Sequence, residues 1–128
     1  MERPSNPAIT ELVRQRCMAL PEVTERLSHG ECTWFVRGKK VFVQMSDHHH
    51  DDRLGLWCAA PPGVMAELVE QEPERFFRPP YVGVKGWLGV YLDTDDVTDL
   101  DWDEIGAIVI DAYRQIAPAK LAALLDET

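Results

Sequence analysis

A hairpin in the first half of the chain constrains the fold more than any other segment. Two runs, 32–37 and 40–45, flank Gly38-Lys39, and glycine at the first central position of a short loop suits a type II′ turn. Such a turn sets the register. Arg37 falls opposite Lys40, Val36 opposite Val41, Phe35 opposite Phe42, Trp34 opposite Val43, Thr33 opposite Gln44 and Cys32 opposite Met45. Cross-strand partners share a face. One face then carries Cys32, Trp34, Val36, Val41, Val43 and Met45, and the other carries Thr33, Phe35, Arg37, Lys40, Phe42 and Gln44. A slip of one residue would mix the two sets, so the pattern predicts a sheet with one apolar face turned to helices.

Two further strands read the same way. In 53–59, Leu54, Leu56 and Cys58 alternate with Arg53, Gly55 and Trp57; in 87–92, Leu88, Val90 and Leu92 alternate with Trp87, Gly89 and Tyr91. Helices are signalled at both ends. Asn6 and Pro7 suit an N-terminus, and Ile9, Leu12, Val13, Cys17 and Leu20 follow helical spacing up to Pro21. Near the other end, Asp101 and Glu104 are spaced as a capping box. Trp102, Ile105, Ile108, Val109, Ala112 and Ile116 then form an apolar stripe, and a last short helix follows Pro118. Residues 22–30 read as a polar loop, Val64 to Glu70 as a short helix, and 72–86 as an irregular Pro-rich segment with room for a short strand. The order predicts one α+β domain over 1–128: an antiparallel sheet with N- and C-terminal helices packed on one face.

Charge narrows the function classes. The chain has 128 residues and 22 acidic against 13 basic side chains, a net charge of −9. Seven of the acids fall between Asp93 and Glu104. Phosphate affinity comes mostly from Lys and Arg, so an acidic chain is a poor generic nucleic-acid binder. Without the acidic patches at 47–52 and 93–104 the remainder is close to neutral, which leaves room for a local basic face. No apolar run is long enough to span a bilayer, and the first residues lack the apolar stretch of a signal peptide. A cytoplasmic protein with no membrane partner is expected.

Catalytic signals are sparse. Cys17, Cys32 and Cys58 are three in number with no CxxC spacing, which fits small buried hydrophobes better than a zinc site or a disulfide framework. Ser28 and His29 are adjacent and poorly placed as nucleophile and base. No nucleotide-binding glycine fingerprint is present, and no catalytic residue and no cofactor is assigned. His48, His49 and His50, among Asp47, Asp51 and Asp52, are the only metal candidates, and weak ones, because adjacent loop residues rarely converge on one ion; a solvated loop is expected there.

The face opposite the helices is the candidate site. Phe35, Phe42, Trp57, Trp87 and Tyr91 share it with Arg37, Lys40 and Arg53, while Arg75, Arg78 and Lys85 border it without a clear alternation. Three readings follow: the Pro-rich segment 73–83 or the short helix at Val64 covers it as a second small core, it is a homodimer interface, or it is a platform for a ligand or nucleic acid whose bases stack on the rings.

Several segments together resemble the MmcQ/YjbR family, in a branch common in actinobacteria. They are Phe35-Val36-Arg37-Gly38-Lys39, Leu56 to Gly63, Arg75 to Gly83, Gly86 to Val90 and Ala112-Tyr113-Arg114. The resemblance runs from the first helix to the last. It implies a small α+β fold with an antiparallel sheet and flanking helices. Members are often labelled DNA-binding, so nucleic acid is the partner the resemblance suggests for a non-enzymatic module; the few bases Arg37, Lys40 and Arg53 predict weak, salt-sensitive binding, and the rings beside them predict a preference for single strands. An enzyme acting on a small molecule between the Pro-rich segment and the sheet, and a homodimeric interaction protein, are the alternatives.

Overall fold

The structure is a computed structural model and describes residues 6–47 and 53–126. The N-terminal helix α1 (Pro7–Met18) opens where expected: the Asn6 side chain accepts from the Ala8 N–H and Pro7 occupies the first turn. Its buried stripe is Ile9, Val13 and Cys17. Strands β1 (Val23–Ser28), β2 (Glu31–Val36), β3 (Lys40–Asp47), β4 (Leu54–Cys58), β5 (Phe76–Phe77) and β6 (Leu88–Tyr91) form one antiparallel sheet in the order β1-β2-β3-β4-β6-β5. Helix α2 (Val64–Gln71) lies against β5 and β6. Helix α3 (Trp102–Ile116) crosses β3 and β4 beside α1, and α4 (Ala119–Leu124) follows Pro118. This is the expected α+β arrangement.

The capping box at α3 is half made. Asp101 accepts from the Glu104 N–H at 3.0 Å. The Glu104 carboxylate does not reach back to the cap but pairs with Arg75, just before β5, tying the start of α3 to the sheet edge.

The segment 22–30, expected as a loop, contains β1. Val-Thr-Glu-Arg-Leu-Ser is too polar to announce a strand, and it sits at the sheet edge, where one side of the backbone needs no partner. Its polar side chains are used. Glu25 accepts two bonds from Arg14 of α1, at 2.7 and 3.0 Å, and one from the Trp34 indole at 2.9 Å. The Arg14 guanidinium holds the Glu25 carboxyl below the usual range, helped by the indole and against partial burial. A depressed carboxylate pKa stabilises the fold above the unfolded value near 4.3 and loses that contribution as pH falls from there through the lower folded-state value. Urea melts should therefore show Glu25→Gln less stable than wild type at pH 7, with the gap narrowing as the pH is lowered below the ordinary carboxylate range. An undiminished gap at low pH would mean that the charge plays no part.

The hairpin holds the expected register in its open half and departs from it near the turn. Thr33 faces Gln44 and Trp34 faces Val43, but then Phe35 faces Val41 and Val36 faces Lys40. The reversal runs over Arg37 and Gly38, at φ 56° and 67°, and the Lys39 N–H donates to the Val36 carbonyl at 3.1 Å. Two positive φ values are the type I′ pattern, not type II′. Gly38 therefore takes the second central position, and Arg37 the first. With Val36 opposite Lys40, three residues and not two separate the strands, so the register near the turn shifts by one and the extra residue in β3 is absorbed as a bulge at Phe42.

That bulge corrects the face assignment. Phe42 is fully buried and packs edge-on against Tyr113 of α3, ring centroids 5.6 Å apart. It belongs to the helix face, and Val41, not Phe42, partners Phe35 on the other. Lys40 opposite Val36 leaves the outer face as well. The Tyr113 hydroxyl completes this part of the core by donating to the Pro21 carbonyl at 2.7 Å.

A candidate ligand-binding groove on the outer sheet face

Cross-strand pairing defines the face opposite α1 and α3. Its central row runs Thr33, Gln44, Trp57, Gly89, Phe77, and the next row contains Ser46, Gly55 and Tyr91. The two glycines have a packing reason. The Phe77 ring lies flat over them: a methyl on Gly55 would meet it at 3.0 Å, and one on Gly89 would fall well inside contact distance. Phe77 also stacks on Tyr91, centroids 4.5 Å apart and planes at 30°. The Pro-rich segment thus covers the β6 side of the aromatic face.

The remaining surface is a groove. Its first part, about 480 Å³, runs between Glu31 and Gln44 on the sheet, with His29 in the β1–β2 turn, and Tyr81 and Val82 on the Pro-rich segment, with Met45, Ser46 and Trp57 between. A second part, about 400 Å³, adjoins it at Ser46 and Trp57 and extends to Arg53, Arg78, Pro80 and Tyr91. Volumes of this order suit small ligands.

The expected site residues divide between the groove and other places. Trp57, at 8% exposure, Arg53 and Tyr91 line it. Arg53 lies 3.5 Å over the Tyr91 ring and makes a two-point pair with the nearly buried Asp93, at 2.8 and 2.9 Å. Phe35 is buried under the Arg26 guanidinium, 3.6 Å from its ring. Trp87 is buried just before β6. Phe42 is on the helix side. Arg37 sits in the turn, paired with Glu22 at 3.2 Å, and with Lys40 borders a hollow beside Ile116 and Pro118, apart from Arg53. Arg37, Lys40 and Arg53 therefore do not form one cationic surface. Of the bordering bases, Arg75 is drawn away to Glu72 and Glu104, and Arg78 stands at the groove.

Sequence reasoning missed Tyr81, His29 and Glu31 as lining residues. Gln44 was legible by alternation with Trp57. His48, His49 and His50 lie outside the described residues; among those described, no three His, Cys, Asp or Glu side chains come together as a metal-binding group.

The thiols are poor nucleophiles. Burial pushes Cys17 and Cys58 upward, and burial with the Glu25 charge raises Cys32 more than nearby Arg14 lowers it. A thiol far above its usual pKa carries little thiolate at neutral pH. Disulfide-exchange labelling of native protein at pH 7 should be slow at all three cysteines and rapid in denaturant. A fast native thiol would reopen cysteine chemistry.

No helix among the described residues is long and apolar enough to cross a membrane. No curated protein matches the sequence. The fold is similar to the crystal structure of the Deinococcus radiodurans protein DR2400, whose domain is described as DUF419. The TM-score is 0.69 at 17% identity, over 91% of this chain and 87% of that one. At that identity the likeness concerns the fold. The sequence itself matches the YjbR family model over residues 18–115, from the end of α1 to the end of α3, so the chain belongs to the YjbR family.

Proposed function

We propose that this YjbR-family protein is a small-molecule binding module whose ligand sits in the outer-face groove. One observation carries the reading: aromatic Trp57 and Tyr81 and polar Gln44, Ser46 and Glu31 converge on a cavity between the Pro-rich segment and the sheet. Apolar walls with a few placed polar groups are what a specific small ligand needs. Nucleic-acid binding draws less support. Arg37 and Lys40 border a different hollow from Arg53, Arg37 and Arg53 are ion-paired, and the net charge of −9 repels a polyanion. An enzyme using the same groove remains the alternative, with no nucleophile and base assigned.

The test is a fragment screen by protein-observed NMR, with labelled single- and double-stranded DNA as separate arms. Fragments should shift the amides of Gln44, Ser46 and Trp57. Shifts confined to another surface, or tight duplex binding, would overturn the proposal.

A further inference from the structure

We propose that the ligand is a planar nitrogen heterocycle with N–H donors, joined to a phosphate: the chemistry of a nucleoside monophosphate. This rests on the ligand-binding reading above and names its ligand class.

The first part of the groove suits the heterocycle. Trp57 and Tyr81 line it with aromatic rings, and stacking of a base on an aromatic side chain is favourable whatever the base. Among the polar groups beside them, Gln44, Glu31 and Ser46 can each accept a hydrogen bond. Gln44 spends an N–H on the Ser28 carbonyl at 3.3 Å, which orients its amide. Glu31 presents a carboxylate, which accepts the Asp47 N–H, and Ser46 a hydroxyl. A ligand edge rich in N–H donors matches that set.

The second part suits the phosphate. Arg53 is engaged with Asp93. Arg78 is exposed and, among the described residues, makes no ion pair, so its guanidinium is the group for an anion. Because Ser46 and Trp57 line both parts, one ligand of nucleotide length can reach from the rings to Arg78.

Tyr81 adds a third, independent observation. It stands 77% exposed at φ 63° and ψ −60°, and the Val82 N–H donates to the Pro80 carbonyl at 2.6 Å. This is the strained γ-turn, rare for a residue with a side chain. Such strain persists where surrounding structure enforces it, and it clusters at ligand clamps. Here it holds an aromatic ring at the groove mouth. A long strand is the poorer source of the same chemistry, because Arg37 and Lys40 do not continue the cationic track beyond Arg78.

GMP is the probe, because guanine presents adjacent N–H donors. Calorimetry would compare GMP, guanosine and a short single-stranded oligonucleotide on wild type, Arg78→Ala and Tyr81→Ala, both changes at exposed side chains. Guanosine should bind about tenfold or more weakly than GMP on wild type. Arg78→Ala should erase that gap and leave guanosine binding unchanged, and Tyr81→Ala should weaken both. GMP affinity equal to that of guanosine, or indifferent to Arg78→Ala, overturns the proposal. Oligonucleotide binding tighter than GMP overturns it in favour of a strand. If other planar compounds shift Gln44 and Ser46 while GMP does not, the nucleotide class falls and the binding reading stands. If nothing shifts the groove, both fall.

Discussion

Phe42→Ala is expected to cost about 3–5 kcal/mol of stability, the range for deleting a buried aromatic side chain. Phe42 has no solvent exposure and meets the Tyr113 ring edge-on, so alanine leaves a cavity between β3 and α3 that backbone relaxation fills only in part. The neighbouring Val41→Ala is the control. Val41 is half-buried opposite Phe35, and its truncation should cost roughly 1 kcal/mol. Chemical denaturation of both variants reads the bulge directly. If hairpin alternation ran unbroken to the turn, Phe42 would sit on the outer face and the order of the two costs would reverse.

Gly89→Ala should destabilise by about 1–3 kcal/mol despite adding only a methyl group, as overpacking does. The added carbon would meet the Phe77 ring at three of its atoms, and the ring cannot settle toward the sheet. It must lift, giving up its stack on Tyr91 and opening the second part of the groove. In Gly89→Ala combined with Phe77→Ala, the glycine change should cost little, because its collision partner is gone. Strict additivity would show that the methyl is resisted by something other than Phe77.

Much of this architecture is legible in the sequence because its signals are local and periodic. Asn6, Pro7 and Asp101 mark helix starts through their own hydrogen-bonding chemistry, and the alternation around Trp57 and Tyr91 orients β4 and β6. What escaped has physical causes. A type I′ reversal that starts at Arg37 needs a non-glycine residue at positive φ, which favours the other reading of Arg-Gly-Lys. The tertiary gain of burying Phe42 against Tyr113 outweighs that local preference, and one displaced residue moved Phe42, Val41 and Lys40 off their expected places. The groove's far wall escaped for a different reason. Tyr81 is aimed by a γ-turn among prolines, where no period exists to be read.

The polar edge strand β1 also bears on how the molecule meets copies of itself. Two β1 strands joined edge to edge about a twofold normal to the sheet must keep helix-facing residues with helix-facing residues, so the axis passes through a residue and not between two. The registers with most overlap centre on Glu25, pairing Val23 with Leu27, or on Arg26, pairing Thr24 with Ser28. The first sets carboxylate against carboxylate, the second guanidinium against guanidinium, and like charges directly opposite oppose pairing. Leu27, 70% exposed, would otherwise invite such contact. The residues that hid this strand from sequence reading thus guard that edge against pairing with a second copy.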